Sequence, residues 1–284
     1  MKACRSFYVP VMGHDIHVLE WGNPTLPALV MWHGLVRNAR DFDVAAAHFA
    51  DRFRVICPDT IGRGLSSWSA NPDTDYTLPA YCLHALGLLD ALGVETCAWV
   101  GTSMGGLMGM GLAGTEPGKS RITRLVINDA GPQLNEAAIE RIRAYAGMVP
   151  EFSTMAEFEG FLRLIYAPFG ALSDAEWRKM AETSVRRRDS GKLSSHYDPQ
   201  LMRVFAEQYT PLDMWPIYDA IACPTLLLRG ETSDLLLAET ANAMTTRGPK
   251  ASLVTIPGCG HAPYLNTPEQ LAVLDGFLGQ PPGQ

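Results

Sequence analysis

Gly101-Thr102-Ser103-Met104-Gly105 sets a serine between glycines, after the apolar run Cys97–Val100 and before the small, apolar run Met104–Gly114. A strand that turns sharply into a helix lifts the intervening hydroxyl clear of the backbone, and glycines are needed there because side chains would crowd the turn. The following helix aims backbone N–H groups and its positive dipole end at a reacting carbonyl, which makes Met104 N–H one expected oxyanion donor. His33-Gly34 ends a second apolar run, Ala28–Trp32, so the N–H of Leu35 is the other expected donor.

A serine hydroxyl attacks poorly at neutral pH unless a base removes its proton, and histidine has a suitable pKa. Of seven histidines, His261 stands out: it closes Gly258-Cys259-Gly260-His261, after the run Ala251–Thr255 and before a helix announced by Thr267-Pro268-Glu269. His14 and His17, three apart in a β-type run, point to opposite faces and do not make a metal pair. His48, His84 and His196 sit in helical or loop contexts without a partner pattern, so all five read as structural or solvent-facing.

The imidazole in turn needs a carboxylate to hold its tautomer. Asp234 follows the run Thr225–Leu228 through Arg229-Gly230-Glu231-Thr232-Ser233 and places Ser, Asp and His in that chain order, so it is the expected acid. Asp129, just past Leu125–Ile127, is the back-up acid and reads first as a strand-end residue.

The elements that must position these groups are legible as short apolar runs. His14–Trp21, Ala28–Trp32 and Arg54–Cys57 are β-type and bounded by Gly, Pro or Asp, and a helical stretch, Ala80–Leu92, ends at Gly93. Alternation of strand and helix along the chain predicts an α/β fold, a doubly wound, mostly parallel sheet with helices on both faces. Residues 133–213 differ in character. Thr154-x-x-Glu157 and Ser173-x-x-Glu176 fit capping boxes, and Asp198-Pro199 fits an N-cap followed by Pro. Ile139, Ile142 and Ala146 recur at helical spacing, as do Phe158, Phe161, Leu162 and Ile165. The expectation is one core built from residues 1–132 and 214–284, with 133–213 inserted as a helical cap over a cleft. Of the cap aromatics, Phe152, Phe158, Phe161, Tyr166, Phe169 and Trp177 read first as packing residues that can also wall an apolar pocket. Arg186-Arg187-Arg188 reads as a solvated helix face.

Composition excludes several classes. With 284 residues and 47% hydrophobic side chains, the chain can bury a sizeable single core. Thirty acidic against 23 basic residues, a formal charge of −7, disfavour a nucleic-acid partner. Apolar runs fall far short of the roughly 20 residues that span a bilayer, so no membrane association is expected. The N-terminal residues lack the apolar centre of a signal peptide, and six scattered cysteines without Cys-x-x-Cys read as reduced packing residues, giving a cytoplasmic expectation. Gln280–Gln284 reads as a frayed tail, and the sequence is silent on oligomeric state.

Taken together, His33-Gly34, Asp59-Thr60-Ile61-Gly62-Arg63-Gly64-Leu65-Ser66, Gly101–Gly105, Arg229–Asp234 and Gly258–His261 make the chain resemble the α/β-hydrolase fold superfamily, in its helically capped esterase and lactonase-like branch. The resemblance implies a cofactor-free Ser–His–Asp mechanism with Ser103, His261 and Asp234, oxyanion donors at Leu35 and Met104, a substrate-selecting cap, and an Asp59–Ser66 loop that shapes the rim. Phe42 stands where many members carry tryptophan, which alters the local pocket shape. Serine at position 103 argues against the epoxide hydrolases and haloalkane dehalogenases, which carry aspartate there. The expected reaction is hydrolysis of a small-molecule carboxylic ester or lactone. Alternatives are C–C bond hydrolysis of a vinylogous diketone by the same residues, and a non-catalytic receptor or scaffold, since fold alone does not guarantee turnover.

Overall fold

Most of the apolar runs become strands of one sheet, because runs buried on both sides can satisfy their backbones only by pairing with one another. The computed structural model describes residues 4–146, 149–211 and 213–279, so the Gln280–Gln284 tail lies outside the described residues. Strands β1 (Cys4–Val11), β2 (His14–Trp21), β3 (Ala28–Trp32), β4 (Arg54–Pro58), β5 (Cys97–Thr102) and β6 (Ile122–Asn128) occupy the first half. A small hairpin, β7 (Val185–Arg187) and β8 (Leu193–Ser195), precedes the last two strands, β9 (Thr225–Gly230) and β10 (Ser252–Ile256). The large sheet runs β1-β2-β4-β3-β5-β6-β9-β10; pairing is antiparallel from β1 through β4 and parallel elsewhere.

Helices α1 (Asp43–Phe49), α2 (Pro72–Asp75), α3 (Leu78–Ala91) and α4 (Met104–Gly114) alternate with the early strands. Between β6 and β9 run α5 (Glu136–Ala146), α6 (Met155–Ile165), α7 (Asp174–Ser184), α8 (Pro199–Gln208) and the short α9 (Trp215–Asp219). Then come α10 (Ala238–Met244) and α11 (Pro268–Leu278).

The two faces of the sheet hold separate cores, and β5 divides its side chains between them as strand geometry requires. Trp99 stacks on Trp32, with ring centroids 5.2 Å apart, on the face that carries α3 and α4. Ala98 and Val100 point the other way, toward Phe49 of α1 and Leu274 of α11.

Two features depart from the sequence reading. Strand β1 was not anticipated: Pro10 weakens the pattern of a strand, yet on a sheet edge its missing N–H costs nothing. It pairs with β2 through Met12-Gly13, both in the left-handed region (φ 51° and 84°), as a two-residue hairpin turn needs. Arg186-Arg187-Arg188 belongs to the β7–β8 hairpin rather than to a helix, and the guanidinium groups of Arg186 and Arg188 lie 4.2 and 5.7 Å from the centroid of the Trp68 ring. Elsewhere between β6 and β9 helices do form, and both expected capping boxes close, at Thr154 and Ser173, while Asp198 caps α8.

His196, which follows β8, binds this segment to the rest of the chain. Gly64 N–H donates to its Nδ1 at 2.7 Å, and the Asn38 amide lies 2.9 Å from Nε2. Burial, reinforced by the nearby Arg37 charge, pushes its pKa down to about 3, and burial pushes that of His33 down to about 4. A histidine held neutral in the fold takes up a proton more readily once unfolded, so stability rises with pH between these values and the ordinary 6.5 and is fully present above it.

Two outcomes follow for stability. The melting temperature falls as pH drops from about 6.5 toward 4, and His196→Asn flattens that slope; a wild-type melting temperature independent of pH across this window excludes the linkage. At Gly105, where α4 crosses the sheet, an added Cβ would sit 2.1 Å from the Trp32 carbonyl oxygen. Gly105→Ala therefore lowers stability by about 1–3 kcal/mol, whereas Gly160→Ala, in open space on α6, raises it by up to about 1 kcal/mol; thermal melts of both variants check the contrast.

Candidate active site

Ser103 stands at the turn from β5 into α4 with φ 53° and ψ −114°, a left-handed backbone that a side chain adopts only when its surroundings force it. The forcing is visible. Ser103 N–H donates to the Asn128 carbonyl at 2.9 Å, and its own carbonyl accepts from Gly106 and Leu107 N–H at 2.8 and 3.0 Å. A Cβ on Gly101 would lie 2.0 Å from the Gly105 carbonyl oxygen, so strand and helix close together only over glycine.

His261 lies between the serine and a carboxylate. Its Nε2 is 2.9 Å from Ser103 Oγ, and its Nδ1 is 2.8 Å from Asp129 Oδ2. The Asp129 side chain is wholly buried, whereas that of His261 keeps 15% of its surface exposed. Two further donors meet the carboxylate: Gly230 N–H donates to Oδ1 at 2.9 Å, and Ser233 O–H to Oδ2 at 2.6 Å. Oδ2, the oxygen that faces the imidazole, is thus also held by Ser233, which fixes the direction of the carboxylate.

This corrects the choice of acid. Asp234, expected to orient the histidine, is about half exposed and forms an ion pair with Arg141, Oδ2 to Nη2 at 2.7 Å. Both carboxylates lie beyond strand-like runs and between Ser103 and His261 in the chain, so chain order could not separate them. The end of β9 and the loop after it do reach the site, but with Gly230 and Ser233 rather than with Asp234.

The loop bearing His261 is pinned from three sides. Gly260 N–H donates to the Pro168 carbonyl at 2.7 Å, Thr232 N–H to the Cys259 carbonyl at 2.9 Å, and Asn128 Nδ2 to the Pro263 carbonyl at 2.8 Å. Leu35 and Met104 border the same cavity as Ser103 and His261. The path of the Leu35 loop is set by Arg63, fully buried, whose Nε–H donates to the Leu35 carbonyl at 2.8 Å while Nη1 donates to Ile61 O and the Tyr81 hydroxyl. His33 is a brace for this loop: Nδ1–H donates to Gly34 O at 2.7 Å and Nε2 accepts from Thr60 N–H at 2.9 Å, matching a neutral ring. Arg63, Asn128, Gly230 and Ser233 went unassigned in the sequence because their roles are contacts between distant segments.

The cavity measures about 330 Å³, near the lower end of ordinary small-molecule sites. One wall comes from the sheet side, with Leu35, Val36, Met104 and Tyr81; the facing wall comes from the β6–β9 segment, with Ile139, Tyr166, Phe169, Leu201 and Phe205. Of the aromatics singled out in that segment, Tyr166 and Phe169 reach the cavity, while Phe152, Phe158, Phe161 and Trp177 pack among themselves and their neighbours. Phe42 also borders the cavity and is buried. Among the described residues no group of His, Cys, Asp and Glu side chains is arranged to hold a metal, and no helix is long and apolar enough to cross a membrane.

Residues 29–274 match the profile of the alpha/beta hydrolase family. A 3-hydroxybutyrate-oligomer hydrolase of Cupriavidus necator is 41% identical over 276 residues, which cover 93% of each chain. A 2-(acetamidomethylene)succinate hydrolase of Mesorhizobium japonicum is 28% identical over 259 residues, 89% of this chain and 88% of that protein. The crystal structure of an alpha/beta hydrolase from Novosphingobium aromaticivorans has a TM-score of 0.87 at 36% identity, covering 98% of this chain and 99% of that one.

The geometry sets an order of reactivity at the serine. Labelling of the wild type by a fluorophosphonate is abolished in Ser103→Ala, and in Asp129→Asn it slows by about 10²-fold or more because the imidazole loses its orienting acceptor. Asp234→Asn slows far less; the opposite order of the two aspartates, read by gel fluorescence over time, returns the orienting role to Asp234.

Proposed function

The chain belongs to the alpha/beta hydrolase family, and on that premise we propose that it hydrolyses a small carboxylic ester or lactone through an acyl-enzyme on Ser103. The observation that carries the reading is the continuous contact from Ser103 Oγ to His261 Nε2 at 2.9 Å and from Nδ1 to the buried Asp129 at 2.8 Å, set against the cavity. His261 takes the serine proton as Oγ attacks the carbonyl carbon, and Asp129 stabilises the resulting imidazolium without itself being protonated. The tetrahedral oxyanion is met by the N–H groups of Leu35 and Met104, the latter at the positive end of α4. His261 then protonates the leaving alcohol, and the same base activates water to release the acid from Ser103. Each step moves a proton between groups already in contact.

Residues 133–213 act, in this reading, as the cap that chooses the substrate, since their side chains form the wall facing the nucleophile. The similarity to a 3-hydroxybutyrate-oligomer hydrolase supports a short oligoester of a hydroxy acid as substrate, and the modest cavity volume fits one or two such units. C–C bond hydrolysis uses the same residues, but the 41% identity to an oligoester hydrolase favours the ester. A cytoplasmic site of action belongs to the same proposal, motivated by the scattered cysteines.

Turnover of p-nitrophenyl butyrate and of the linear 3-hydroxybutyrate dimer tests the proposal. Ser103→Ala lowers kcat by about 10⁴-fold or more on both. Undiminished turnover in that variant defeats the mechanism, and faster cleavage of a dienol diketone than of either ester transfers the assignment to C–C hydrolysis.

A further inference from the structure

Most of the polar side chains on the cavity wall are already bonded to protein partners. Arg37 and Asp41 pair with each other, Nε–H to Oδ2 at 2.9 Å, with little of either side chain exposed. Arg141 is ion-paired with Asp234. The Tyr76 hydroxyl donates to Asp198 Oδ2 at 2.7 Å and accepts from Ser69 N–H at 2.9 Å, so its donor and its acceptor are both used. These groups have little left to give a ligand.

Tyr81, on α3, is different. It borders the cavity and is buried, and its hydroxyl oxygen accepts from Arg63 Nη1 at 2.8 Å. A phenol both accepts and donates, yet the Tyr81 proton meets no acceptor among the described residues. Burial pushes its pKa up, against the opposing effect of the Arg63 charge, so the proton stays on the oxygen. The guanidinium is itself fixed by the carbonyls of Leu35 and Ile61, and repulsion from it turns the O–H away. An O–H whose oxygen already accepts from a cation is also polarised into a stronger donor. A buried donor without an acceptor costs free energy that a ligand oxygen recovers.

We propose that Tyr81 donates a hydrogen bond to a second oxygen of the substrate, one outside the scissile ester, so that esters of hydroxy acids are preferred over plain alkyl esters. Arg63 is a positioning residue for the phenol. This rests on the ester-hydrolase reading and adds the substrate's polarity to it. In a hydroxy-acid ester the second oxygen is the hydroxyl of the acyl unit or the carboxylate of the leaving unit, and both accept the same bond. A fixed donor in an apolar wall rejects an analogue that lacks the acceptor, because the donor is then left unpaired.

Hydrolysis of three esters, followed by pH-stat titration, tests the bond. Ethyl butyrate has no oxygen outside the ester, ethyl 3-hydroxybutyrate adds one on the acyl side, and the butyryl ester of 3-hydroxybutyrate adds a carboxylate on the leaving side. The wild type favours at least one of the oxygenated esters over ethyl butyrate in kcat/KM by about tenfold or more, and the favoured one tells which unit Tyr81 meets. Tyr81→Phe, which keeps the ring and removes the donor, brings that ratio toward one. A wild type without the preference, or a preference that survives in Tyr81→Phe, overturns the proposal. So does a loss by the same factor on all three esters, which places the effect on the shared ester group or on the loop that Arg63 holds. If ethyl butyrate is still cleaved in a Ser103-dependent manner in any of these cases, ester hydrolysis stands without the Tyr81 bond. If the wild type cleaves none of the three, the ester reading fails and takes this site with it.

Discussion

A carboxylate removed from water must have its charge met by donors, and the environment of Asp129 is organised by that requirement. The imidazole of His261, the N–H of Gly230 and the hydroxyl of Ser233 all converge on it. These donors come from the end of β9, the loop after it and the loop after β10, while the acid itself ends β6. One buried charge thus ties three strand ends together. Its own backbone is bent to the task, with φ 57° at Asp129. Because the imidazole contributes one of these bonds, the carboxylate that needs donors and the histidine that needs an orienting acceptor meet each other's requirement.

Ser103 depends on a second constraint, close approach of backbone to backbone. Ser103 holds a left-handed conformation because α4 begins almost on top of β5 and β3, a packing that glycine at 101 and 105 permits. That seat also directs the first turn of α4, with its unsatisfied N–H groups, toward the cavity. On the opposite side, Arg63 is buried to hold the Leu35 loop, and its guanidinium is covered by Tyr81, centroid 4.7 Å away. Braces of this kind set the position of the proposed oxyanion donors before any substrate arrives, which is where electrostatic stabilisation gains most of its effect.

The segment between β6 and β9 supplies much of the rest of the cavity, and its attachment is polar as well as apolar. His196, Asn38 and Gly64 form one junction, and Arg37 reaches Ser184 at another. Apolar residues of α5 and α8 then close over the serine. Arg37 is neutralised inside that wall, and Arg141 is anchored from outside it.

Much was legible from the chain alone, because the relevant signals are local. β2 and β3 follow directly from runs bounded by turn residues, the capping boxes of α6 and α7 from four-residue spacings, and the Ser103 turn from glycines at fixed offsets. His261 was singled out by the same kind of local context. The choice between Asp129 and Asp234 was not decidable that way. Each follows an apolar run and precedes the histidine, and what separates them is burial and a 2.8 Å contact between residues 132 apart in the chain. Strand β1 was hidden by a proline harmless only at a sheet edge, and the arginine run of the β7–β8 hairpin by a composition without period. Arg63 and Ser233 stand out in the sequence only as members of longer motifs, for their individual roles exist only where distant loops touch. Sequence spacing singled out Ser103 and His261; the packing of strand ends decided which carboxylate meets the imidazole, because distance and desolvation are properties of the folded contacts and not of the order of residues.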